Sequence, residues 1–492
     1  MSDIKKMRRF RFERFKLYIL IVLVMTSFIQ VGILWNYQNE GLPTNFLWNI
    51  FASSKMKVPS DVSDYVKLFR ITATEGYDES HFIIDETHEH YDKLCNEVLY
   101  YLTNLLEGKD ILRKQTYSEE HWGEVVVKKS FVFEFKTIIN TNILAALLNV
   151  ENNSSQDFDG IYKIALLPRV DSNNNIGLYI YDGAKTYSYV LPFYEKGLSR
   201  EKYNDILISL EEDETYSYVV MNEWMGINKT PYRIKPDILI PRGSASEDFP
   251  DIISTVPQII RDIDTTRKED LEKIAAKVLG SDKERLTWGV DIDNSIVFRN
   301  PSKTYKIYRD GLMEYKYLSQ YDKADKGYEI EALERAIEFI AKIADLAKGA
   351  DIYLSGINSG KDGYYTFTFD YKVGQRPVSF LEYPVNTGKE GFVNNAIEIN
   401  ANSKKVLSCY WILKEFSVGS NILKVRTYPF DLLDDVFRKY DYLNFNNFTV
   451  KDVIISYEAK HSKNEEHLKP IWLIETMDGR NFTVEMKEKK GD

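Results

Sequence analysis

Cysteine is nearly absent from this chain: Cys95 and Cys409 are the whole complement in 492 residues, too few and too far apart in sequence for a disulfide framework. Six histidines leave few ways to assemble a metal or acid/base centre. No GxSxG elbow, phosphate loop, HExxH pair or Rossmann glycine fingerprint occurs, so the chemistries that those motifs announce are without a signal here. Positive charge is also in deficit. Lys and Arg number 64 against 74 Asp and Glu, which argues against a surface that neutralises phosphates, and no nucleic-acid partner is expected.

What is present begins at the N-terminus. Residues 17–35, LYILIVLVMTSFIQVGILW, carry no charge, and as a helix they would reach about 28 Å, close to the hydrocarbon thickness of a bilayer. The preceding residues 1–16 hold Lys5, Lys6, Arg8, Arg9, Arg11, Arg14 and Lys16 against Asp3 and Glu13. The positive-inside bias keeps such a tail in the cytoplasm and sends the body outside. The run ends in Ile33, Leu34, Trp35, Asn36 and Tyr37 rather than in small residues, which favours a retained single-pass anchor over a cleaved signal peptide. Trp35 and Tyr37 are the expected interfacial anchors. Thr26, Ser27, Gln30 and Gly32 are the small or polar positions expected to touch a partner helix, because association in lipid rests on close packing and a few hydrogen bonds. Setting the tail aside leaves 57 basic and 72 acidic side chains, an acidic extracytoplasmic body.

Residues 36–56, with Gly41, Pro43 and Trp48, read as a stalk. The rest is too long for one ordinary core. Its pattern divides into an N-terminal mixed subdomain over 57–120, a strand-rich middle over 121–265 and a C-terminal α+β region over 266–492. The expected class is α+β, antiparallel sheets packed with helices. Apolar residues at helical spacing predict helices over 91–107, 267–279 and 329–348, stopped by Gly108, Gly280 and Gly349. Val125, Val127, Phe131, Phe133 and Phe135 alternate with polar residues, as in a half-buried strand, and Thr141 offers a cap to a short apolar helix. Strands are predicted over 161–167, 176–181 and 186–191, the last two joined by an Asp182-Gly183 turn. Residues 250–262 show no clear period. Beyond residue 285 the succession of strands, helix and strands occurs twice, which predicts two related units.

Candidate chemistry is sparse. Asp85, Glu86, His88, Glu89 and His90 precede the first helix, where acidic side chains complement the dipole and Asp85 or Thr87 would cap it. As a metal site they would need a further ligand from elsewhere. Residues 355–363, SGINSGKDG, contain Gly-Lys, but the alternation over 364–369 makes the run a hairpin loop rather than a phosphate cradle. The pairs Asp291 with Asp293 and Asp434 with Asp435, and the histidines His461 and His467, are expected to be solvated. No catalytic residue, cofactor or metal is expected.

Three short stretches carry a family resemblance. They are Leu34-Trp35-Asn36-Tyr37-Gln38 at the end of the anchor, Phe131-Val132-Phe133-Glu134-Phe135 before a short apolar helix, and Pro470-Ile471-Trp472-Leu473-Ile474 near the C-terminus. With the layout of most of the chain, they resemble the YycH (WalH) family of Gram-positive bacteria, membrane-anchored auxiliary proteins of the YycFG (WalRK) two-component system. The region beyond residue 285 is similar to the companion protein YycI. The resemblance implies a regulator of cell-wall metabolism without catalysis, with a YycG (WalK)-like sensor histidine kinase and a YycI-like protein as partners. The long basic tail matches no feature of that family. An alternative is an anchored extracytoplasmic enzyme or a wall- or ligand-binding module, which predicts a concave site with convergent Asp, Glu or His.

Overall fold

The computed structural model describes residues 62–488 without 77–79, 154–156, 169, 171–173, 195–196, 198–199, 213–216, 221–232, 242–245, 264–266, 281–285, 319–326, 361–363, 382–392, 427–431, 440–448, 461–463, 478 and 480. The expected tail, anchor and stalk lie outside the described residues.

The first strands among the described residues are the antiparallel pair β1 (Arg70–Thr74) and β2 (His81–Ile84), in which Thr74 faces His81. Next, α1 (Tyr91–Leu106) buries Leu94, Val98, Leu102 and Leu105 as one stripe, each worth about 1.5–3 kcal/mol relative to exposure. Gly108, at φ +69°, follows its end. After β3 (Arg113–Ser118) the structure departs from the expected strand at Val125. Residues Glu120–Val126 form α2, because Trp122, Val125 and Val126 recur at helical spacing and are buried together. β4 (Ser130–Asn140) leads into α3 (Thr141–Leu148), which is capped by the Asn140 side chain accepting from Asn142 N rather than by Thr141.

β5 (Gly160–Leu167), β6 (Ile176–Tyr181) and β7 (Lys185–Leu191) follow the predicted strands closely, and Asp182 Oδ1 accepts from the amides of Ala184 and Lys185 in the expected turn. α4 (Arg200–Glu212), β8 (Ser217–Val220), β9 (Arg233–Ile234) and β10 (Leu239–Pro241) come next. Nine strands make one antiparallel sheet in the order β10-β8-β2-β1-β4-β5-β6-β7-β3. One face, carrying Ile71, Phe131, Phe133, Ile164 and Leu178, joins the core that includes α1, α3 and α4. The opposite face holds a smaller core of Trp122, Val126, Val132, Ala165 and Leu239.

The second sheet system begins at β11 (Ser246–Thr255), within the run that showed no period. A short helix, α5 (Gln258–Arg261), and α6 (Lys268–Leu279) lead to the meander β12 (Thr287–Val290), β13 (Ile296–Arg299), β14 (Lys303–Ile307) and β15 (Leu312–Tyr317). α7 (Glu329–Ala341) is followed by a 3-10 turn, so the predicted long helix ends early and Gly349 follows the turn at φ +81°. β16 (Asp351–Ser359), β17 (Tyr365–Val373), β18 (Arg376–Leu381), β19 (Val393–Asn394), β20 (Ile397–Ala401), β21 (Val406–Ile412) and β22 (Glu415–Arg426) precede α8 (Leu432–Lys439). The chain ends with β23 (Thr449–Lys460), β24 (Glu466–Thr476), β25 (Asn481–Glu485) and β26 (Lys487–Glu488).

β15 pairs with β21, β21 with β20 and β20 with β17, which carries the sheet across the α7 connection. β18 then pairs in parallel with β23, and β24 reaches β11. The architecture is α+β with antiparallel-rich sheets. Among the described residues no helix is long and apolar enough to cross a membrane.

Candidate functional site

The candidate membrane contacts Thr26, Ser27, Gln30 and Gly32 and the anchors Trp35 and Tyr37 lie outside the described residues. The residues singled out inside the body are dispersed. Asp85 caps its own turn, accepting from the amide and hydroxyl of Thr87, and α1 starts at Tyr91 with no side-chain cap. His88 and His90 have ring centroids 5.3 Å apart, and His90 Nε2 bonds to Ser209 Oγ of α4 at 3.2 Å. No group of three or more His, Cys, Asp or Glu among the described residues is placed to hold a metal ion. The Gly-Lys run begins inside β16 and leads to β17, a hairpin as expected. Asp291 and Asp293 share Lys306 at 3.0 and 2.6 Å.

His461 lies outside the described residues; His467 is exposed as expected, but it has a partner. Its Nδ1 lies 2.8 Å from Oδ1 of Asp251, a buried carboxylate on β11, which raises the histidine pKa above its ordinary value. Both residues come from segments without a recognisable spacing, 216 positions apart.

The structure instead brings together a buried set of charges that sequence reading missed. On β4, Phe131, Phe133 and Phe135 face one side as predicted, but Val132 and Glu134 on the other are buried too. That side meets the second sheet system rather than water. Glu134 ion-pairs with Arg70 of β1 and, at 2.5 Å, with Lys163 of β5. Lys163 Nζ also lies 2.6 Å from Oδ2 of Asp237, which accepts from Trp122 Nε1 at 2.9 Å. Arg70 extends to Asp452 of β23 at 3.2 Å, and Lys136 of β4 reaches Glu475 of β24 at 2.6 Å. The last two pairs join the two sheet systems.

Including Lys451, four basic groups (Arg70, Lys136, Lys163, Lys451) face four acidic ones (Glu134, Asp237, Asp452, Glu475), so the cluster is balanced. Burial opposes the charges of Arg70, Glu134, Lys163, Lys451, Asp452 and Glu475. For Glu134, Arg70 and Lys163 outweigh burial and hold the carboxyl well below the usual range. Asp452 goes the other way: burial pushes its carboxyl up, and Arg70 offsets this only in part. Lys451 is pushed down by burial despite Glu475. Such charges, fully engaged with one another, position the two sheets; a partner group left alone there would be costly.

Beside this cluster a cleft of about 220 Å³ separates the sheets. Phe69, Arg70 and Ile83 line one wall and Arg376, Val453 and Trp472 the other. Lys372 of β17 reaches across to Glu86 at 3.1 Å. The walls mix apolar and charged groups.

Comparison with solved structures places this architecture. The fold is similar to that of YycH from Bacillus subtilis, with a TM-score of 0.57 over 87% of this chain and 98% of that one, at 13% sequence identity. An uncharacterized protein from Eubacterium rectale ATCC 33656 gives a TM-score of 0.28 over 50% of this chain and 87% of its own, at 12% identity, too low to bear on the fold. No family model matches the sequence. No curated protein matches it by sequence comparison either.

Proposed function

We propose that this chain is a membrane-anchored, YycH-like regulator that modulates a sensor histidine kinase of a two-component system by protein–protein contact. The observation that carries the reading is the likeness in fold to YycH, which extends over 87% of this chain and nearly all of the other. The uncharged run at 17–35, with its basic tail, supports a single-pass anchor, a cytoplasmic N-terminus and an extracytoplasmic body. Control by contact needs no covalent step: a regulator that binds two signalling states of a kinase with different affinity shifts their populations. A YycI-like protein is the second partner in this reading.

The cleft favours a ligand-binding module only weakly. Hollows of about 220 and 270 Å³ in the body fall short of the roughly 300–1,000 Å³ of typical ligand sites. The regulatory reading is tested by replacing residues 17–35 with a neutral Leu/Ala helix and following kinase-dependent gene output and co-purification of the kinase from detergent extracts. Both are expected to change. Unaltered output together with unaltered co-purification would remove the membrane-contact mechanism, and absence of the kinase from extracts of the unmodified chain would remove the regulator itself.

A further inference from the structure

A hollow of about 270 Å³ lies between the second half of α1 and the segment that follows β7. Tyr100 and Tyr101 of the helix and Phe193 and Tyr194 of the segment give it four aromatic rings, and Asn104 and Asp110 give it two polar side chains. The remaining lining is aliphatic, with no Lys, Arg or His among the described residues. The cleft between the sheets is the opposite case, since Arg70, Lys372 and Arg376 all line it.

The aromatic wall is held in place by its own contacts. Tyr100 and Tyr194 stack with ring centroids 3.8 Å apart, Tyr101 meets Tyr100 edge-on at 5.3 Å, and the Tyr194 amide donates to the Tyr101 hydroxyl at 3.2 Å. Tyr101 is buried, whereas Tyr100, Phe193 and Tyr194 are half-buried and keep part of their surface open. Asp110 is exposed just past the helix, and among the described residues neither its carboxylate nor the Asn104 amide has a hydrogen-bond or ion-pair partner. Lys109, the base next to Asp110 in sequence, is taken by Glu107 at 2.9 Å.

Three sources of negative potential converge here. Aromatic faces carry the negative end of the ring quadrupole and Asp110 carries a full charge. The C-terminal end of the 16-residue α1 adds a partial charge that no basic side chain in its last turn offsets. An anion would be repelled. A calcium ion takes six to eight oxygen ligands, and one carboxylate with one amide is too few. A neutral sugar would stack on the rings without using the charge.

We propose that this hollow binds a small organic cation, an alkylated ammonium group, with its methyl groups against Tyr100 and Tyr194 and its charge facing Asp110. Such a cation spreads its charge over apolar groups, which is what a wall of aromatic faces recognises. Size agrees with this: an apolar cavity of about 150 Å³ accommodates a benzene ring.

Choline and its neutral isostere 3,3-dimethylbutan-1-ol separate charge from shape. Each is titrated into the full-length chain in a polyoxyethylene detergent, with binding followed by saturation-transfer NMR. Choline is expected to bind about ten-fold more tightly than the isostere. Asp110 has a left-handed backbone at φ +57°, which asparagine also adopts, so Asp110→Asn should leave the thermal melt unchanged while choline affinity falls about ten-fold. Tyr194→Leu should weaken choline more than the isostere. No binding of choline, equal binding of the isostere, or an Asp110→Asn chain that holds choline as well as its parent overturns the proposal. Binding of glucose but not of choline would make the hollow a sugar site and overturns it too. None of these readouts involves a kinase, so the regulatory reading stands or falls separately.

Discussion

His81 is held neutral by where the fold places it. Its ring lies on β2 against β1, with Nδ1 hydrogen-bonded to the Thr74 hydroxyl at 2.8 Å, and burial pushes its pKa down to about 4. An unfolded histidine titrates near 6.5, so as pH falls below that value the unfolded chain takes up the proton first. The contribution is complete above about pH 6.5 and is lost progressively down to about pH 4, a total of about 3 kcal/mol. His467 has the opposite sign. Asp251 raises its pKa, so its contribution is present below the unfolded value and fades as pH rises through the folded one. His81→Gln should therefore flatten the fall in urea stability between pH 6.5 and 4.5 relative to the unmodified chain. Equal slopes for the two proteins would show that His81 is protonated without cost.

At the level of elements, what was legible depended on whether one face met water. α1 and α6 show their stripes because their outer faces are solvated, and the predicted bounds agree within a residue or two. The β6–β7 hairpin announced itself through Asp182 and Gly183, whose chemistry is local. Val125 was misread because a two-residue alternation can be cut from a helical run as short as α2. β11 was invisible: its partners β22 and β24 lie far along the chain, and Asp251 falls where the β11–β22 register shifts. The buried charges were illegible for a related reason. Glu134 sits in a pattern that normally puts a carboxylate in water, and only the second sheet turns that face inward. Gly108 and Gly280 were read more safely as stops because they answer to backbone geometry alone, whereas Gly349 follows a 3-10 turn and not the helix it was expected to end. Gly349, at φ +81°, would bring a Cβ to 1.9 Å from the carbonyl oxygen of Phe416. Gly349→Ala is expected to lower stability in urea by about 1–3 kcal/mol from the backbone conformation alone, with the clash adding to it. A change below about half a kcal/mol would mean that the turn after α7 relaxes freely.

For the molecule as a whole, the question is what holds the two sheet systems together beside an open cleft. Arg70–Asp452 and Lys136–Glu475 are largely buried ion pairs with the base on one sheet and the acid on the other. Attraction across such pairs is set against desolvation, so they fix a relative placement more than they add net stability. Their partners differ in how firmly they are charged. Burial opposes ionisation of Glu475, but Lys136 and Lys451 outweigh it and hold its carboxyl below the usual range. The stabilisation from Glu475 is therefore present above the unfolded pKa of a glutamate and is lost as pH falls through its lower folded value. Lys136→Met leaves Glu475 with Lys451, itself pushed down by burial, and with the weaker influence of Arg70. That variant should lose more stability than the double variant Lys136→Met/Glu475→Gln, which removes both charges. A coupling of about 0.5–3 kcal/mol is expected from the cycle. Hydrogen exchange locates the effect: amides of Ile83, Ile84 and Val453–Ile455, which line the cleft from both sheets, should exchange faster in Lys136→Met, while those of β6 and β7 keep their protection. Uniform loss of protection would show one cooperative body in which the pair serves only global stability, and additive single variants would show that Lys136 and Glu475 do not act on each other.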